Sequence, residues 1–284
     1  MKKAFDTKLR LSAANKERLN TINGILEEYR AEGYVLTLRQ LYYQLVARDI
    51  IPNQQKQYTQ LSNILKKGRM AGIVDWSVIE DRMRKPRLPY YVSGIQEAIY
   101  DTIHQYRLNR MAGQFQRIEV WVEKDALSNV LSRVTDHYHV RLMVNRGYSS
   151  LSAMYEAYLR LSNGDTILYL GDHDPSGLDM VRDIEDRLWQ FGLDINVVPI
   201  ALTMDQIKKF NPPPNPARVS DPRAEWYIEK FGNTSWELDA LPPEELISLV
   251  EKNIEERIDK DLWEEQVAQE RRDIEEMKTK FNIE

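Results

Sequence analysis

The sequence predicts an α/β protein of more than one domain: a helical N-terminal part, a parallel sheet wrapped by helices, and a charged helical C-terminus. Three observations carry this. A chain of 284 residues is long enough for two domains, and its 42% apolar content is that of globular protein. Before Arg117 the apolar residues recur at helical spacing. From Arg117 onward, short β-branched runs alternate with amphipathic stretches of about a dozen residues, the pattern of parallel strands joined by crossover helices.

In the N-terminal part, residues 12–31 carry Leu19, Ile22, Ile25 and Leu26 on one helical face, and the helix should end near Gly33. Thr37 can cap a second helix in which Leu38, Leu41, Tyr42 and Leu45 repeat, stopping before Pro52. A third follows through Tyr58, Leu61, Ile64 and Leu65 and ends in Lys66, Lys67, Gly68 and Arg69. Two helices joined by a short link, the second basic at its end, have the form of a helix-turn-helix or winged helix, with Lys66, Lys67 and Arg69 as candidate phosphate contacts. The run DWSVIEDRMRKPRLPYYV then predicts a helix entering a basic, proline-marked connection (Arg82, Arg84, Lys85, Arg87), and another helix is expected over 95–110.

Beyond Arg117, RIEVWVEK, VRLMVN, TILYL and INVVPIAL read as strands, the second of them buried. SSLSAMYEAYLRLSN and LDMVRDIEDRLWQFG read as helices. Ligands of open α/β sheets gather at the carboxyl ends of the strands, where Glu123 and the pair Asp172/Asp174 fall. The proline-rich residues 211–223 predict an extended surface loop, and 242–284 a highly charged helix or pair of helices packing on the domain or on a second subunit.

Composition narrows the chemistry. Without cysteine, disulfides, thiolate zinc sites and cysteine nucleophiles are excluded. The absence of an apolar run of about 18 residues argues against a membrane span, and the chain reads as intracellular. The net charge of −5 hides a sign change: residues 1–117 carry 20 Lys+Arg against 11 Asp+Glu, and the rest 19 against 33. A basic half attracts phosphates and an acidic half can concentrate divalent cations.

The stretch GDHDPSG, residues 171–177, admits two readings. Its Gly, Asp, Pro and Ser close turns and cap helices. Equally, Asp172 and Asp174 fall on one side if the strand geometry persists, and three carboxylates at strand ends suit a hard cation such as Mg²⁺, with Mn²⁺ tolerated. His173 would face away from the pair, and His137 and His139 read as structural.

The order of VEKDALSNVL, NRGYSS and YLGDHDPSG resembles a Toprim domain. Together with TLRQLYY at 37–43 and WELDAL at 236–241, it is similar to the A subunit of type IIB topoisomerase (topoisomerase VI) and the related meiotic double-strand-break transesterase, over about residues 35–242. The resemblance implies a winged-helix domain with a catalytic tyrosine over 1–112, a Toprim metal-binding domain over 113–245 and a C-terminal helical extension over 246–284. It makes Tyr43 the nucleophile with Arg39 in the same motif, and Glu123, Asp172 and Asp174 the ligands of Mg²⁺. By helical phase Tyr42 joins Leu38, Leu41 and Leu45 toward the core, which leaves Tyr43 toward the DNA beside Arg39, its i, i+4 neighbour. Arg39 and the metal would activate the phenol. The implied partners are double-stranded DNA, a second copy of the chain in a homodimer, and an ATPase B-type subunit in trans; the implied location is the cytoplasm, with the nucleoid. The chain is short for such a subunit and lacks a glycine-rich nucleotide loop, so it looks like the small stand-alone Mini-A proteins. Arg146 stands before Gly147 where those relatives often have lysine. A Toprim nuclease leaving free ends, and a DNA-binding protein without turnover, are the alternatives.

Overall fold

The computed structural model describes residues 2–6, 9–79 and 89–283. Helix α1 (Ala13–Ala31) starts where the Ser12 side chain accepts from Asn15 N, and the chain leaves it through Gly33 at φ 81°. Helix α2 (Leu38–Ala47) opens with a reciprocal cap: Thr37 accepts from Gln40 N while the Gln40 side chain accepts from Thr37 N. Helix α3 (Gln55–Met70) follows. The apolar faces predicted for all three meet in one core, with Leu19, Ile22, Leu41, Leu45, Leu61 and Leu65 all buried.

Where the sequence suggested a further helix from Asp75, there is one 3-10 turn, Trp76–Val78, after which Ile79 bridges to Leu36 in parallel. The basic connection Arg82, Arg84, Lys85 and Arg87 lies outside the described residues. Helix α4 (Ile95–Gln105) is shorter than expected because Tyr106 turns extended.

Strand β1 (Ile118–Val122) leads through α5 (Ser128–Tyr138) to β2 (Arg141–Val144), then through α6 (Leu151–Arg160) to β3 (Thr166–Leu170), and through α7 (Pro175–Gln190) to β4 (Asn196–Ala201). All pairings are parallel, in the order β2-β1-β3-β4. The central strands β1 and β3 are buried on both faces, β3 with an apolar run from Ile167 to Leu170 and β1 with an apolar strand interrupted only by Glu119. Val120, Val122, Leu168 and Leu170 turn to one face with Leu131 and Val134 of α5. Trp121, Ile167 and Tyr169 turn to the other with Met154 of α6 and Ile184 of α7. A carboxylate on that second face, Glu119, is 2% exposed and held bidentately by Arg160 at 2.7 and 2.9 Å. β2 takes an edge rather than a buried position, which leaves Arg141 exposed.

After α8 (Met204–Phe210), the proline-rich residues do more than cross the surface. Strand β5 (Asn215–Pro216) pairs antiparallel with β6 (Thr234–Ser235), with α9 (Ala224–Phe231) between them. Helix α10 (Pro243–Glu255) lays Leu246, Val250 and Ile254 into the core beside α5. Helix α11 (Lys260–Phe281) runs along α4, and its buried Glu270 accepts from Leu108 N at 2.9 Å and from Arg110 at 2.7 Å. The described residues thus form an α/β structure with 11 α-helices and one four-stranded parallel sheet. Among them no helix is long and apolar enough to cross a membrane.

Candidate active site

The strand order creates a crevice. From β1 the chain crosses to one side of the sheet, and from β3 to the other, so the connections diverge at the carboxyl ends of two adjacent strands. The residues there are Glu123 and Asp172. Glu123 is fixed by its N–H on Leu170 O (2.9 Å) and by Arg146 N on its own carbonyl (3.0 Å), and its Oε2 accepts from Asp172 N at 3.1 Å.

β3 ends at Leu170, so Asp172 and Asp174 do not continue a strand. Instead Asp174 is the N-cap of α7, its Oδ1 accepting from Gly177 N at 2.6 Å and from Ser176 Oγ at 2.9 Å. A Cβ at Gly177 would stand 2.2 Å from the Asp172 carbonyl oxygen, so this turn closes only over glycine. The turn-and-cap reading of the stretch therefore holds for Asp174. His173 points away from the acids as expected, buried with Nδ1 2.8 Å from the Tyr227 hydroxyl.

Helix α2 and the segments around β5 and β6 form the facing wall of a cleft of ≈ 650 Å³. Arg39, Tyr43, Glu123, Asp172 and Asp174 all line it, in a single chain. Lys124, Glu237 and Arg218 line it as well, and Asp239 lies fully buried behind.

These added charges set the electrostatics. Lys124 Nζ sits 2.8 Å from Asp172 Oδ1 and 3.0 Å from Asp239 Oδ1, and is also paired with Glu237. Arg39 reaches the same two acids, 2.5 Å to Glu237 Oε2 and 3.2 Å to Asp239 Oδ2. Burial alone would discharge Lys124, but Asp239, Asp172 and Glu237 outweigh it and hold the ammonium charged well above its usual range. Burial pushes the Asp172 carboxyl up to about 8, against Lys124 and helped by Glu123 and Glu237, and Glu123 is raised mainly by burial too. Sequence reading passed over Lys124, Glu237 and Asp239 although the signal was available: Glu237 and Asp239 are an acid-x-acid pair around a buried Leu238, in the same form as Asp172 and Asp174.

Tyr43 departs from expectation. It is 5% exposed, within the core of the N-terminal helices, its ring edge-on to Tyr42 at 5.3 Å and 5.8 Å from the Arg39 guanidinium. Both tyrosines are core residues. They differ at the hydroxyl: that of Tyr42 donates to Asn53 Oδ1 (2.9 Å) or Gln54 O (3.2 Å), whereas that of Tyr43 makes no hydrogen bond among the described residues. Burial raises the Tyr43 phenol above its usual value, with Glu237 and Asp239 adding to the rise, and Arg39 and Lys124 only partly oppose it. The activation expected of Arg39 is outweighed because those two acids already neutralise its charge.

The three acids suit a hard divalent cation by their oxygen-only chemistry and by the raised Glu123 and Asp172, whose crowding such a charge would relieve. As arranged, Asp172 is held by Lys124 and by Leu238 N (2.8 Å) and Asp174 by its helix. Among the described residues no three such side chains are gathered tightly enough to grip an ion.

The basic end of α3 stands apart. Lys66 and Lys67 are exposed, and neither lines the cleft, which meets α3 at Gln55 and Tyr58. Those positions are on the order of 15 Å away along the helix. Arg69 is not free for phosphate: its guanidinium donates to Ile79 O at 2.7 Å and Trp76 O at 3.3 Å and lies over the Trp76 ring. It holds the turn after α3.

No protein-family profile matches the chain, and no curated protein matches it. The fold and the site therefore define its class only as an α/β protein with an acidic cleft at a sheet switch point.

Proposed function

We propose that the protein cleaves DNA by tyrosine transesterification in the manner of a type IIB topoisomerase A subunit, with the N-terminal helices as a winged-helix domain and the sheet as a Toprim domain. The observation that supports this reading is that Tyr43, Arg39, Glu123, Asp172 and Asp174, singled out from three separate motifs, line one cleft. In the reaction the Tyr43 oxygen attacks a DNA phosphorus in line, the P–O3′ bond breaks, and the proton lost by the phenol balances the one gained by the 3′ oxygen. The products are a 5′-phosphotyrosyl ester and a free 3′ hydroxyl, and the reverse attack reseals the strand. Glu123, Asp172 and Asp174 would hold Mg²⁺, with Mn²⁺ tolerated, which supplies charge stabilisation to the phosphate and the leaving oxygen. Arg39, through Glu237 and Asp239, positions the helix that bears Tyr43. A homodimer would cut both strands, an ATPase B-type subunit in trans would couple cleavage to strand passage, and the enzyme would work in the cytoplasm on nucleoid DNA.

The burial of Tyr43 favours a second reading, a metal-dependent nuclease in which water is the nucleophile and the ends are free. One experiment separates the two. Supercoiled plasmid is incubated with the protein and Mg²⁺ or Mn²⁺, quenched with detergent, and run with and without proteinase beside Tyr43→Phe. Ends that carry protein and disappear in the variant support transesterification. Free ends from both proteins make it a nuclease, and no cleavage by either, even with a B-type ATPase present, leaves DNA binding without turnover.

A further inference from the structure

The cations of the cleft are not equivalent. Of the three that line it among the described residues, Lys124 is committed to Asp172, Glu237 and Asp239, and Arg39 to the last two. Neither has charge to spare for a ligand. The third, Arg218, is exposed, and its side chain makes no hydrogen bond or ion pair among the described residues. We infer that Arg218 is the phosphate-binding residue of the cleft, contacting the backbone of the DNA strand that enters it; this rests on the reaction proposed above.

Its backbone is held while its head is free. Asn215 and Pro216 pair with β6, Ala217 N donates to Asn233 O at 3.3 Å, and Asp221 N donates to the Arg218 carbonyl at 3.0 Å. Asn53, just ahead of α3, donates to Asn215 Oδ1 at 2.6 Å and ties this segment to the tyrosine-bearing helices. Pro212, Pro213, Pro214 and Pro216 restrict the approach further. A guanidinium on such a mount loses little freedom when it binds, and its planar fork matches two phosphate oxygens. Arg223, five positions on, shows the contrast. It is paired with Asp179 at 2.7 Å and Asp221 at 3.2 Å, and is structural. A cleft lined, among the described residues, by four carboxylates also needs an uncommitted positive charge to admit a polyanion, and Arg218 supplies it.

The test is binding of a fluorescently labelled DNA duplex by anisotropy, with Ca²⁺ in place of Mg²⁺, across a salt series, for the wild type, Arg218→Gln and Arg218→Lys. The loss of one phosphate contact makes the log–log salt slope shallower by about 0.9, so that Arg218→Gln should lose about 3.5-fold less affinity than the wild type between 50 and 200 mM salt. Arg218→Lys should keep the wild-type slope. Thermal melts of all three should coincide, since the side chain has no partner to lose. An unchanged slope and affinity in Arg218→Gln would overturn the assignment and leave the proposed reaction standing. A wild type that binds no DNA would overturn the reaction itself.

Discussion

Arg39 Nη2 lies 2.5 Å from Glu237 Oε2, across nearly two hundred residues of chain, and Glu237 in turn holds Lys124. The helix that carries Tyr43 is therefore joined to the carboxyl end of β1 by alternating charges, and Lys124 is the member with most to lose. Replacing it with methionine would leave Asp172 without its cation and Glu237 and Asp239 sharing Arg39 alone. We expect Lys124→Met to lower unfolding free energy by about 3 kcal/mol, as is usual when one partner of a buried ionic cluster is removed. Urea denaturation measures this, and Mg²⁺ should restore more stability to the variant than it adds to the wild type.

Asp172 gives a pH dependence with a definite sign. Its folded pKa, about 8, lies above the ordinary 3.8, so between those values the folded state holds a proton that the unfolded state has lost. Its contribution to the stability of the metal-free protein is greatest at the acid end of that window and falls as pH rises toward 8. A cation binds only the deprotonated carboxylate, so the rise in Tm on adding Mg²⁺ should be larger at pH 8.5 than at pH 6. Differential scanning fluorimetry in EDTA and in Mg²⁺ at the two pH values checks it; equal rises would remove Asp172 from the cation site.

The two tyrosines separate cleanly. Tyr42→Phe loses the hydroxyl's hydrogen bond to Asn53 Oδ1 or Gln54 O and should cost about 1 kcal/mol while leaving any covalent adduct intact. Tyr43→Phe removes a hydroxyl without a hydrogen-bond partner among the described residues, so its melting point should stay close to that of the wild type while any adduct vanishes. Labelled-DNA adduct gels run beside thermal melts decide between them.

At the end of α3 the expectations divide in the same way. The double variant Lys66→Gln/Lys67→Gln should keep wild-type stability and, where these lysines touch DNA, flatten the salt slope by about two contacts. Arg69→Gln should instead destabilise the fold by about 1 to 2 kcal/mol, because the carbonyls of Trp76 and Ile79 lose their donor. Its effect on binding at matched folded fraction should be small.

The elements that were readable from the sequence are those with strong local signals. Thr37 announced the start of α2, and the β-branched and apolar stretches of β1 and β3, alternating with helical ones, announced parallel strands. That Glu123, Asp172 and Asp174 would fall near one another was readable because β1 and β3, paired side by side, place the residues that follow them. What was not legible depends on distant chain. Nothing near Tyr43 records that Glu237 and Asp239 arrive from nearly two hundred residues away to cancel Arg39. Likewise Pro216 gives no hint that Thr234 will pair with it, so 211–223 reads as plain loop. Arg69 looks like its lysine neighbours until the carbonyls of the next turn are seen.

The short turn Leu238–Ala240 has a consequence for how such a chain could be divided or recombined. Leu238 is buried with the sheet, Ala240 with the N-terminal helices, and Asp239 between them neutralises a cation from each. These three residues work as a rivet through two hydrophobic bodies. Neither body is a transplantable part. A fragment that stops short of residue 238 would leave both with an open seam and two cations without Asp239, so any functional exchange or truncation has to carry the turn along with both of the surfaces it fastens.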